Sequence, residues 1–311
     1  MSHTPSTEVS ALEHEIAQLK RERDAVILAH YYAPPAVQSI ADHVGDSFAL
    51  AKLATTLPQQ TIVMCGVRFM GESAKLLNPT KTVLLPAPAA DCPMAHMVDH
   101  AIIERLRAEV DDLAVVCYVN STAEIKSWSD VCVTSSNAVA ICRALPQRNI
   151  LFIPDANLGR FIAEQLPEKH VYLNQGCCPR HQAIAADEVR ALKALYPAAP
   201  VLAHPECTEA VLAEADFAGS TKEIIEYAAA SDAEDFIILT VVGVAHELEA
   251  RCPHKRFHFP ATTPRCPDME LMTLEGVAAA LRGELGEVTV DETHAEQAKT
   301  TLDAMLAYAG R

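Results

Sequence analysis

The stretch Val26-Ile27-Leu28-Ala29-His30 decides the fold, because runs of the same kind recur twice along the chain. The second is Val115-Val116-Cys117-Tyr118, and the third is Val201-Leu202-Ala203-His204. Tyr118 lies 88 residues after His30, and His204 lies 86 residues after Tyr118. Short apolar runs that are rich in β-branched residues are typical of buried strands. The near-constant spacing therefore predicts three copies of one structural unit.

A helix-start signal follows each of these runs at a matching offset. Ser47, Ser135 and Thr221 stand at the beginning of the three segments, again 88 and 86 residues apart. Ser and Thr are favoured there because their side-chain oxygens accept hydrogen bonds from unpaired backbone N–H groups. A further helix precedes each run, and a second strand, a second helix, a short third strand and a cysteine follow it. Strands that alternate with helices predict a small parallel sheet covered on both faces.

The chain is therefore predicted to be an α/β protein of three homologous three-layer αβα domains. The predicted boundaries are 1–92, 93–178 and 179–266. Each domain ends in one cysteine, and these are Cys92, Cys178 and Cys266. Ligands of parallel sheets bind beyond the C-terminal ends of the strands. Packing with pseudo-threefold symmetry would therefore bring the three cysteines to a common centre.

The two ends of the chain are predicted to be helical. The first helix is expected to begin with a capping box formed by Ser10 and Glu13. Residues 267–311 are expected to form two helices, near 269–285 and 292–309, that pack back on the first domain.

The ten cysteines favour metal binding, because disulfides are rare in a reducing cytosol. Structural zinc sites often use CxxC pairs, and the sequence contains none. Iron–sulfur clusters accept thiolates from widely separated positions. Three cysteines on a four-iron cluster would leave one iron open to act as a Lewis acid. Four other cysteines lie in apolar stretches and are expected to be core residues: Cys65, Cys117, Cys132 and Cys142.

The charge of the chain limits its partners. It has 41 acidic and 25 basic side chains and a formal net charge of −16. This balance argues against a general nucleic-acid-binding or anionic-membrane surface. The first ten residues are polar, and no apolar run approaches the ~20 residues that span a bilayer. We therefore expect a cytoplasmic protein that binds neither nucleic acid nor membranes.

Nine segments of the chain carry a likeness to a known family. They are AHYY (29–32), ADHVGDS (41–47), CGVRFMGESAK (65–75), YVNSTAEIK (118–126), SDVCVTSSNAV (129–139), PDANLG (154–159), HPEC (204–207), ADFAGST (215–221) and CPDM (266–269). Taken together and in this order, they resemble the iron–sulfur quinolinate synthase family of NAD biosynthesis.

The resemblance implies condensation of iminoaspartate with dihydroxyacetone phosphate to quinolinate, with release of phosphate and water. It implies three homologous αβα domains around a central [4Fe-4S] cluster that has three cysteine ligands and one open iron. Those ligands fall on Cys92, Cys178 and Cys266, with Cys178 preferred over its neighbour Cys177. The implied partners are the two small-molecule substrates and, transiently, the enzyme that supplies iminoaspartate.

The resemblance also assigns residues that bind substrate and move protons. Tyr32, His204 and Glu206 are expected to be catalytic, with Tyr32 serving a carbonyl or hydroxyl group and the other two forming a base pair or relay. The expected substrate-binding residues are His30, Ser47, Tyr118, Asn120, Ser135, His204, Glu206 and Thr221. Of these, the three at predicted helix starts would offer backbone N–H groups to a carboxylate or phosphate.

Four positions depart from the family pattern. Asp91 stands where Gly usually precedes the first ligand, and Ala87 replaces a usual Asp. Asn174 lies near a usual Trp, and Val241 stands where Glu is usual. None of them removes a ligand, but Asp91 and Val241 leave the surroundings of the cluster open.

The sequence leaves three other functions open. An iron–sulfur redox sensor or electron-transfer protein would have no open iron and would not depend on Glu206. A metal-dependent aldolase or dehydratase would use the same scaffold for a different triose phosphate or dicarboxylate. A structural zinc protein would contain no iron.

Overall fold

The computed structural model describes residues 7–262 and 264–309 and shows three parallel four-stranded sheets along the chain. The first sheet consists of β1 (Ala25–His30), β2 (His43–Gly45), β3 (Thr61–Cys65) and β4 (Thr82–Leu84). The second consists of β5 (Leu113–Tyr118), β6 (Val131–Val133), β7 (Asn149–Ile153) and β8 (His170–Leu173). The third consists of β9 (Val201–Ala203), β10 (Phe217–Ala218), β11 (Asp235–Leu239) and β12 (Arg256–His258).

Helices alternate with these strands. The first sheet is accompanied by α1 (Thr7–Glu22), α2 (Pro35–Ile40), α3 (Ser47–Ala54) and α4 (Arg68–Leu77). The second has α5 (His100–Glu109), α6 (Ala123–Ser127), α7 (Ala138–Ala144) and α8 (Ala156–Gln165). The third has α9 (Pro179–Gln182), α10 (Ala186–Leu195), α11 (Glu209–Leu212), α12 (Thr221–Ala230) and α13 (Ala245–Arg251). The chain continues with α14 (Pro267–Glu270), α15 (Leu274–Arg282) and α16 (Glu292–Ala309).

The three sheets share one topology. Their strand orders are β2-β1-β3-β4, β6-β5-β7-β8 and β10-β9-β11-β12, and the paired strands are parallel. The strands in the middle of each sheet are buried almost throughout, as expected where helices cover both faces. The predicted α/β class, with three αβα domains that each have one parallel sheet, is therefore confirmed.

Each sheet contains one strand more than the sequence predicted. The additional strands are β2, β6 and β10, which lie at a sheet edge beside the strand that begins each repeat. They are two or three residues long, too short to show the period of two by which a strand is recognised. Their extended conformation depends on pairing with a neighbouring strand, which residues within the segment do not reveal.

An aspartate precedes each of these short edge strands and fastens it to the strand beside it. Asp42, Asp130 and Asp216 each accept the backbone N–H of a residue in that central strand, at 2.9, 2.7 and 2.8 Å. Their spacings are 88 and 86 residues, as for the strands themselves. The three repeats thus share this hydrogen bond as well as their strand order.

A lysine precedes the other edge strand of each sheet. Lys81, Lys169 and Lys255 each donate to two backbone carbonyls at or just beyond the C-terminal ends of α3, α7 and α12. An ammonium group is stabilising there because the last carbonyls of a helix have no partner within it and carry partial negative charge. The same device closes one helix in every repeat.

The described residues fall into two compact units. The first lies within Met1–Cys92 and Pro267–Val290, and the second lies within Pro93–Cys266 and Asp291–Arg311. The first unit contains the first sheet, and the second unit contains the other two. The domain boundary at residue 178, between the second and third repeats, stays a prediction.

The two C-terminal helices have different neighbours. In the first unit, α15 packs on α1 and β3, and Arg282 forms an ion pair with Glu15 at 2.7 Å. In the second unit, α16 packs on α6, β6 and α7. The prediction that both helices pack on the first domain is therefore wrong for α16. Its apolar face, with Leu302 and Met305 fully buried, covers the second repeat, and an amphipathic pattern alone does not say which sheet it will cover.

Two further details differ from the predicted helices. The segment predicted as one helix over 269–285 is divided between α14 and α15, and Thr273 caps the second of these by accepting the Gly276 N–H. At the other end of the chain, α1 already begins at Thr7, so Ser10 lies inside it and does not begin the helix. The Ser10 side chain itself lies outside the described residues. No helix in the described ranges is long and apolar enough to cross a membrane.

Candidate active site

Predicted site residues lie where the first strand of each repeat ends. His30 and Tyr118 are the last residues of β1 and β5, and His204 directly follows β9. All three side chains are buried. Two positions further along the chain come Tyr32, Asn120 and Glu206, one in each repeat. The C-terminal edge of a parallel sheet is the usual place for ligands, because successive loops converge there.

The two histidines at strand ends share one local geometry. The backbone N–H of Tyr32 donates to His30 Nδ1 at 3.1 Å, and the backbone N–H of Glu206 donates to His204 Nδ1 at 3.3 Å. A nitrogen that accepts a hydrogen bond carries no proton, so each neutral ring holds its proton on Nε2. In His204 this nitrogen lies 3.2 Å from Ser135 Oγ.

Glu206 is the centre of a buried hydrogen-bonded group in the second unit. Its Oε1 accepts the Tyr118 hydroxyl at 2.6 Å, and its Oε2 lies 2.8 Å from His181 Nδ1. Burial alone would raise the pKa of Glu206, but His181, His204 and the hydrogen bonds from His181 and Tyr118 outweigh it and hold that pKa below its usual range. The carboxylate is therefore ionised at neutral pH.

His181 was absent from the predicted site, yet it contacts three site groups. It lies on α9, is 1 % exposed, and its Nε2 is 2.9 Å from Thr240 Oγ1. Its Nδ1, shared with Glu206, also lies 3.3 Å from Cys178 Sγ. Its ring stacks on that of His204, with centroids 4.8 Å apart. The signal in the sequence was its position three residues after a predicted cysteine ligand.

Asp155 organises the loop that carries Cys178. Its side chain is fully buried, and it caps α8 through Oδ1, which accepts the Leu158 N–H at 2.7 Å. Its Oδ2 accepts the backbone N–H of Cys178 at 2.9 Å. Burial and the neighbouring charge of Glu206 raise the pKa of Asp155 to about 8. The sequence placed Asp155 within a family motif but gave it no role.

The same loop lies close to the segment that follows β7. A Cβ at Gly176 would lie 2.6 Å from the Pro154 carbonyl oxygen, so only glycine fits without a backbone shift. Asn174, one of the departures from the family pattern, donates from Nδ2 to the carbonyls of Pro154 and Met97, both at 2.7 Å. The departure therefore has a structural role in holding this loop.

The predicted helix-start residues are close to helix N-termini but do not cap them. Ser47 and Thr221 are the first residues of α3 and α12, and the caps are the preceding Asp46 and Ser220. Ser135 lies three residues before α7, so its predicted place at a helix start is wrong. The side chain of Asn137 closes a polar turn there by accepting the Thr134 N–H at 2.7 Å, which delays the helix.

Two buried amide atoms at predicted site segments have no hydrogen-bond partner among the residues that the structure describes. They are Asn120 Oδ1, two residues beyond the end of β5, and Asn137 Nδ2, in the turn that contains Ser135. Leaving a buried polar atom unpaired costs ~1–3 kcal/mol. Such atoms are expected where a polar ligand supplies the missing partner, and here one can accept and the other can donate.

Known proteins are similar to this chain over nearly its whole length. The profile of the family described as Quinolinate synthetase A protein matches residues 14–307. The chain belongs to the quinolinate synthase family. A protein named Quinolinate synthase from Fusobacterium nucleatum is 48% identical over 299 residues, which cover 96% of this chain and 100% of that protein. Those of the same name from Clostridioides difficile and Aquifex aeolicus are 45% and 43% identical, over 94% and 96% of this chain and 96% and 94% of theirs.

Membership of the quinolinate synthase family makes the chain a synthase of NAD biosynthesis, and a metal cofactor is consistent with its donor groups. Cys178 Sγ, His181 Nδ1 and a Glu206 carboxylate oxygen all lie within 4.8 Å of one another. Thiolate, imidazole and carboxylate are the ligands that transition metals take from proteins. The second unit therefore contains a preformed group of metal-binding atoms.

The cysteines fall into two classes that suit different roles. Cys92, Cys178 and Cys266 are partly exposed, and each is followed by a proline that begins a short helical turn. Six others are buried, namely Cys65, Cys117, Cys132, Cys142, Cys207 and Cys252. Burial raises the thiol pKa of Cys65 and Cys142 to about 12, which keeps these sulfurs protonated and unsuited to metal.

Cys177 is partly exposed like its neighbour but differs in its surroundings. Burial, together with the nearby Asp155 and Glu206, raises the pKa of its thiol. Its neighbour Cys178 instead has its backbone N–H fixed by Asp155 and its sulfur beside His181. The surroundings favour Cys178 as the metal-binding residue of the pair.

The structure brings together part of the predicted site. Tyr118, Ser135, His204 and Glu206 join with His181 in a single hydrogen-bonded and stacked group of the second unit. His30, Tyr32, Ser47 and Cys92 belong to the first unit, at or beyond the C-terminal edge of its sheet. Besides His181, sequence reasoning missed Asn157, whose Nδ2 donates to the Glu206 carbonyl at 3.1 Å.

Proposed function

We propose that the protein condenses iminoaspartate with dihydroxyacetone phosphate to form quinolinate, releasing phosphate and water. The observation that carries this proposal is the ionised Glu206 carboxylate, hydrogen-bonded to Tyr118 and flanked by two histidines. The names of the relatives support the product, and the unpaired Asn120 Oδ1 supports a polar ligand at the end of β5. The reaction needs removal of carbon-bound protons, imine formation and loss of hydroxyl groups, and these steps require a base and donors.

Glu206 is the proposed base. It is ionised at neutral pH, so it can accept a proton from the substrate. Its two oxygens are held by the Tyr118 hydroxyl and by His181 Nδ1, and these contacts stabilise the ionised form that accepts this proton. Tyr32, at the equivalent position of the first repeat, is proposed to serve a carbonyl or hydroxyl group of the substrate.

His30 and His204 are proposed to act as hydrogen-bond donors through Nε2. Their Nδ1 atoms accept backbone N–H groups, so in the neutral form each ring carries its proton on Nε2 and can donate it. A neutral imidazole held in one tautomer suits the polarisation of a carbonyl or the binding of a carboxylate. His204 would exchange its present partner, Ser135 Oγ, for the substrate.

Both substrates are anionic although the protein is acidic, so the attraction must be local. The N-termini of α3 and α12 supply backbone N–H groups at Ser47 and Thr221, and such groups bind carboxylates and phosphates. Ser135, Tyr118 and Asn120 add side-chain donors and an acceptor. We propose that these five groups, with His30, hold the two substrates.

The proposed cofactor is a [4Fe-4S] cluster with Cys92, Cys178 and Cys266 as its ligands and one iron left open. The donor set fits, because these are partly exposed thiols on Cys-Pro turns whereas most of the other cysteines are buried. When bound, the open iron supplies a Lewis acid that eases the loss of hydroxide. The three αβα repeats, with boundaries near 92, 178 and 266, would surround it with pseudo-threefold symmetry.

A partner enzyme follows from the chemistry of the substrate. An imine of aspartate reacts with water, so it must be made close to the time of its use. We propose that a cytoplasmic enzyme that oxidises aspartate supplies it through transient contact.

The test is anaerobic purification of the full chain, iron and sulfide analysis, and an assay of quinolinate from the two substrates. We expect about four irons and four sulfides per chain and a product that requires both substrates. Release of phosphate with another dicarboxylate, but not with iminoaspartate, would support an aldolase or dehydratase. A cluster that cycles between redox states without forming product would support an electron carrier.

A further inference from the structure

We infer that Cys178, His181 and Glu206 form a mononuclear site for a borderline divalent ion such as Zn²⁺ when the chain lacks its cluster. The competition between this ion and the cluster rests on the proposed function, whereas the ion site itself does not. All three residues belong to the second unit, and they come from one turn of α9 and the loop after β9.

The spacing of the three donor atoms suits one ion. His181 Nδ1 is 2.8 Å from Glu206 Oε2 and 3.3 Å from Cys178 Sγ, and all three atoms lie within 4.8 Å of one another. Zinc binds nitrogen and oxygen at about 2.0–2.2 Å and sulfur at about 2.3 Å, so tetrahedral ligands stand roughly 3.3–3.7 Å apart. An ion there would lengthen the two contacts of His181 Nδ1 by up to about half an ångström and would bring Cys178 Sγ and the Glu206 oxygen, which lie within 4.8 Å of each other, to about 3.6 Å apart.

Each ligand is already oriented by a second hydrogen bond. His181 Nε2 lies 2.9 Å from Thr240 Oγ1, which turns Nδ1 toward the other two ligands. Tyr118 holds the far oxygen of Glu206 at 2.6 Å, and Asp155 holds the backbone N–H of Cys178 at 2.9 Å. Metal-binding histidines and carboxylates characteristically have such outer partners, which fix the ring tautomer and the donor direction.

The charge and softness of the donors select the kind of ion. A thiolate and a carboxylate together neutralise a divalent cation, and burial of His181 and Glu206 keeps water from competing. Sulfur and imidazole favour Zn²⁺, Co²⁺ or Fe²⁺ over Mg²⁺ or Ca²⁺, which prefer oxygen. Three protein ligands leave a fourth position for water, as in zinc sites that are not purely structural.

The consequence is mutual exclusion of two metal centres. Cys178 cannot bind the ion and the cluster at once, and the ion would also occupy the proposed base Glu206. Zinc bound in this way would therefore block assembly of the cluster on the cluster-free chain until a chelator removes the zinc. This is a route to mis-metallation that the pattern of three cysteines alone does not suggest.

The experiment is a Co²⁺ titration of the cluster-free full-length chain, followed by absorption spectroscopy. We expect one Co²⁺ per chain, with tetrahedral d–d bands and a thiolate charge-transfer band. Cys178→Ser should lose that band, and His181→Ala or Glu206→Gln should weaken binding at least about tenfold. Cys92→Ser, Cys266→Ser and Cys177→Ser should bind as the unaltered chain does.

A different set of results would overturn the inference. If Co²⁺ binding persists in His181→Ala and Glu206→Gln but fails in Cys92→Ser or Cys266→Ser, the ion is held by the three cysteines instead. Absence of stoichiometric binding would also overturn it. Thr240→Val keeps all three ligands and nearly the same volume, so it should weaken binding even if His181→Ala does not fold. Quinolinate formation is not measured here, so either proposal can fail without the other.

Discussion

Two sets of equivalent positions differ in how residue type varies across the three repeats. One set precedes the edge strands and keeps the same residue type, and the other follows the central strands and changes it. Before the edge strands the side chain is conserved in type: Asp42, Asp130 and Asp216, then Lys81, Lys169 and Lys255. After the central strands it changes: His30, Tyr118 and His204, then Tyr32, Asn120 and Glu206. The strand order around both places repeats, and only the chemistry of the second set differs.

This difference separates architecture from function within one chain. A repeated fold needs the same hydrogen bonds in every copy, so the Asp and Lys contacts recur. The proposed site needs one base and several different donors, so the positions that would form it are expected to differ between copies. Asp155 illustrates the rule, because the equivalent residues of the other repeats are Val67 and Val241. Only the second repeat has a buried carboxylate there, and it holds the Cys178 loop.

The largest expected effect is loss of the cluster from single cysteine variants. Cys92→Ser, Cys178→Ser and Cys266→Ser should each lose most of their iron and sulfide and all quinolinate formation, because a thiolate ligand is removed. Cys177→Ser is the matched control, since it changes the adjacent residue and should retain the full iron content. Metal analysis of anaerobically purified protein decides the matter. Full iron in Cys178→Ser with loss in Cys177→Ser would transfer the ligand role to Cys177.

The next largest effect is expected at Glu206, whose equivalents in the other repeats, Tyr32 and Asn120, carry no carboxylate. Glu206→Gln keeps the volume and the Tyr118 contact but removes the base, so turnover should fall about 10²–10⁴-fold with iron content unchanged. The matched control is Glu209→Gln, an exposed carboxylate three residues later on α11, which should leave turnover unaffected. Steady-state kinetics on protein of equal iron content provide the measurement. Normal turnover in Glu206→Gln would remove this residue from the chemistry.

Substitution of the repeated lysines should lower stability and leave turnover unchanged, the reverse of what we expect for Glu206. Lys81→Met, Lys169→Met and Lys255→Met each remove an ammonium group from two helix-terminal carbonyls, and we expect each to lower the free energy of unfolding by about 1.5–3 kcal/mol. Turnover per folded, iron-loaded enzyme should not change. Thermal unfolding compares them with Lys222→Met, an exposed residue whose pairing with Glu226 contributes little. A lysine variant with unchanged stability but reduced turnover would contradict the assignment of the positions before the edge strands to architecture alone.

The sequence predicted the parts of the molecule that depend on local pattern. Apolar runs and helix-start residues located the central strands and most long helices, because burial and capping act within a few residues. The edge strand Phe217–Ala218, the partner of α16 and the role of His181 depend on contacts between distant segments. A histidine on a four-residue helix becomes a neighbour of Glu206 only after the third repeat has folded. No spacing rule in a single sequence specifies that contact.

The smallest expected effect lies beneath the site, where the second repeat again differs from the others. The carbonyls of Ala33 and Ser121 occupy equivalent positions, and the first is held by the Gln38 amide whereas the second is held by the fully buried Lys126 ammonium. Beside that ammonium lies Cys117, where the other repeats have Ala29 and Ala203. A buried lysine in one repeat is thus accompanied by a buried thiol in the same repeat.

This thiol should make stability depend on pH. Burial would raise the pKa of Cys117, but the hydrogen bond from the cross-strand neighbour Cys132 and the charge of Lys126 lower it to about 7. The thiol of the unfolded chain has a pKa of about 8.5. Between about pH 7 and this value the unfolded chain binds more protons than the folded chain, so the free energy of unfolding rises with pH. Cluster-free protein should gain on the order of 1 kcal/mol from about pH 6.5 to about pH 8 through this group. The gain is lost as the pH falls through about 7.

Cys117→Ala, which installs the residue of the other two repeats, should abolish that gain in urea unfolding, whereas Cys142→Ala should preserve it. The control is apt because burial raises the pKa of Cys142 to about 12, so its folded-state thiol does not ionise in this range. Lys126→Gln, which copies the first repeat, should raise the pKa of Cys117 and flatten the same profile. If Cys117→Ala keeps the slope of the unaltered chain, the thiol is neutral when folded and Lys126 is balanced by the backbone carbonyl alone.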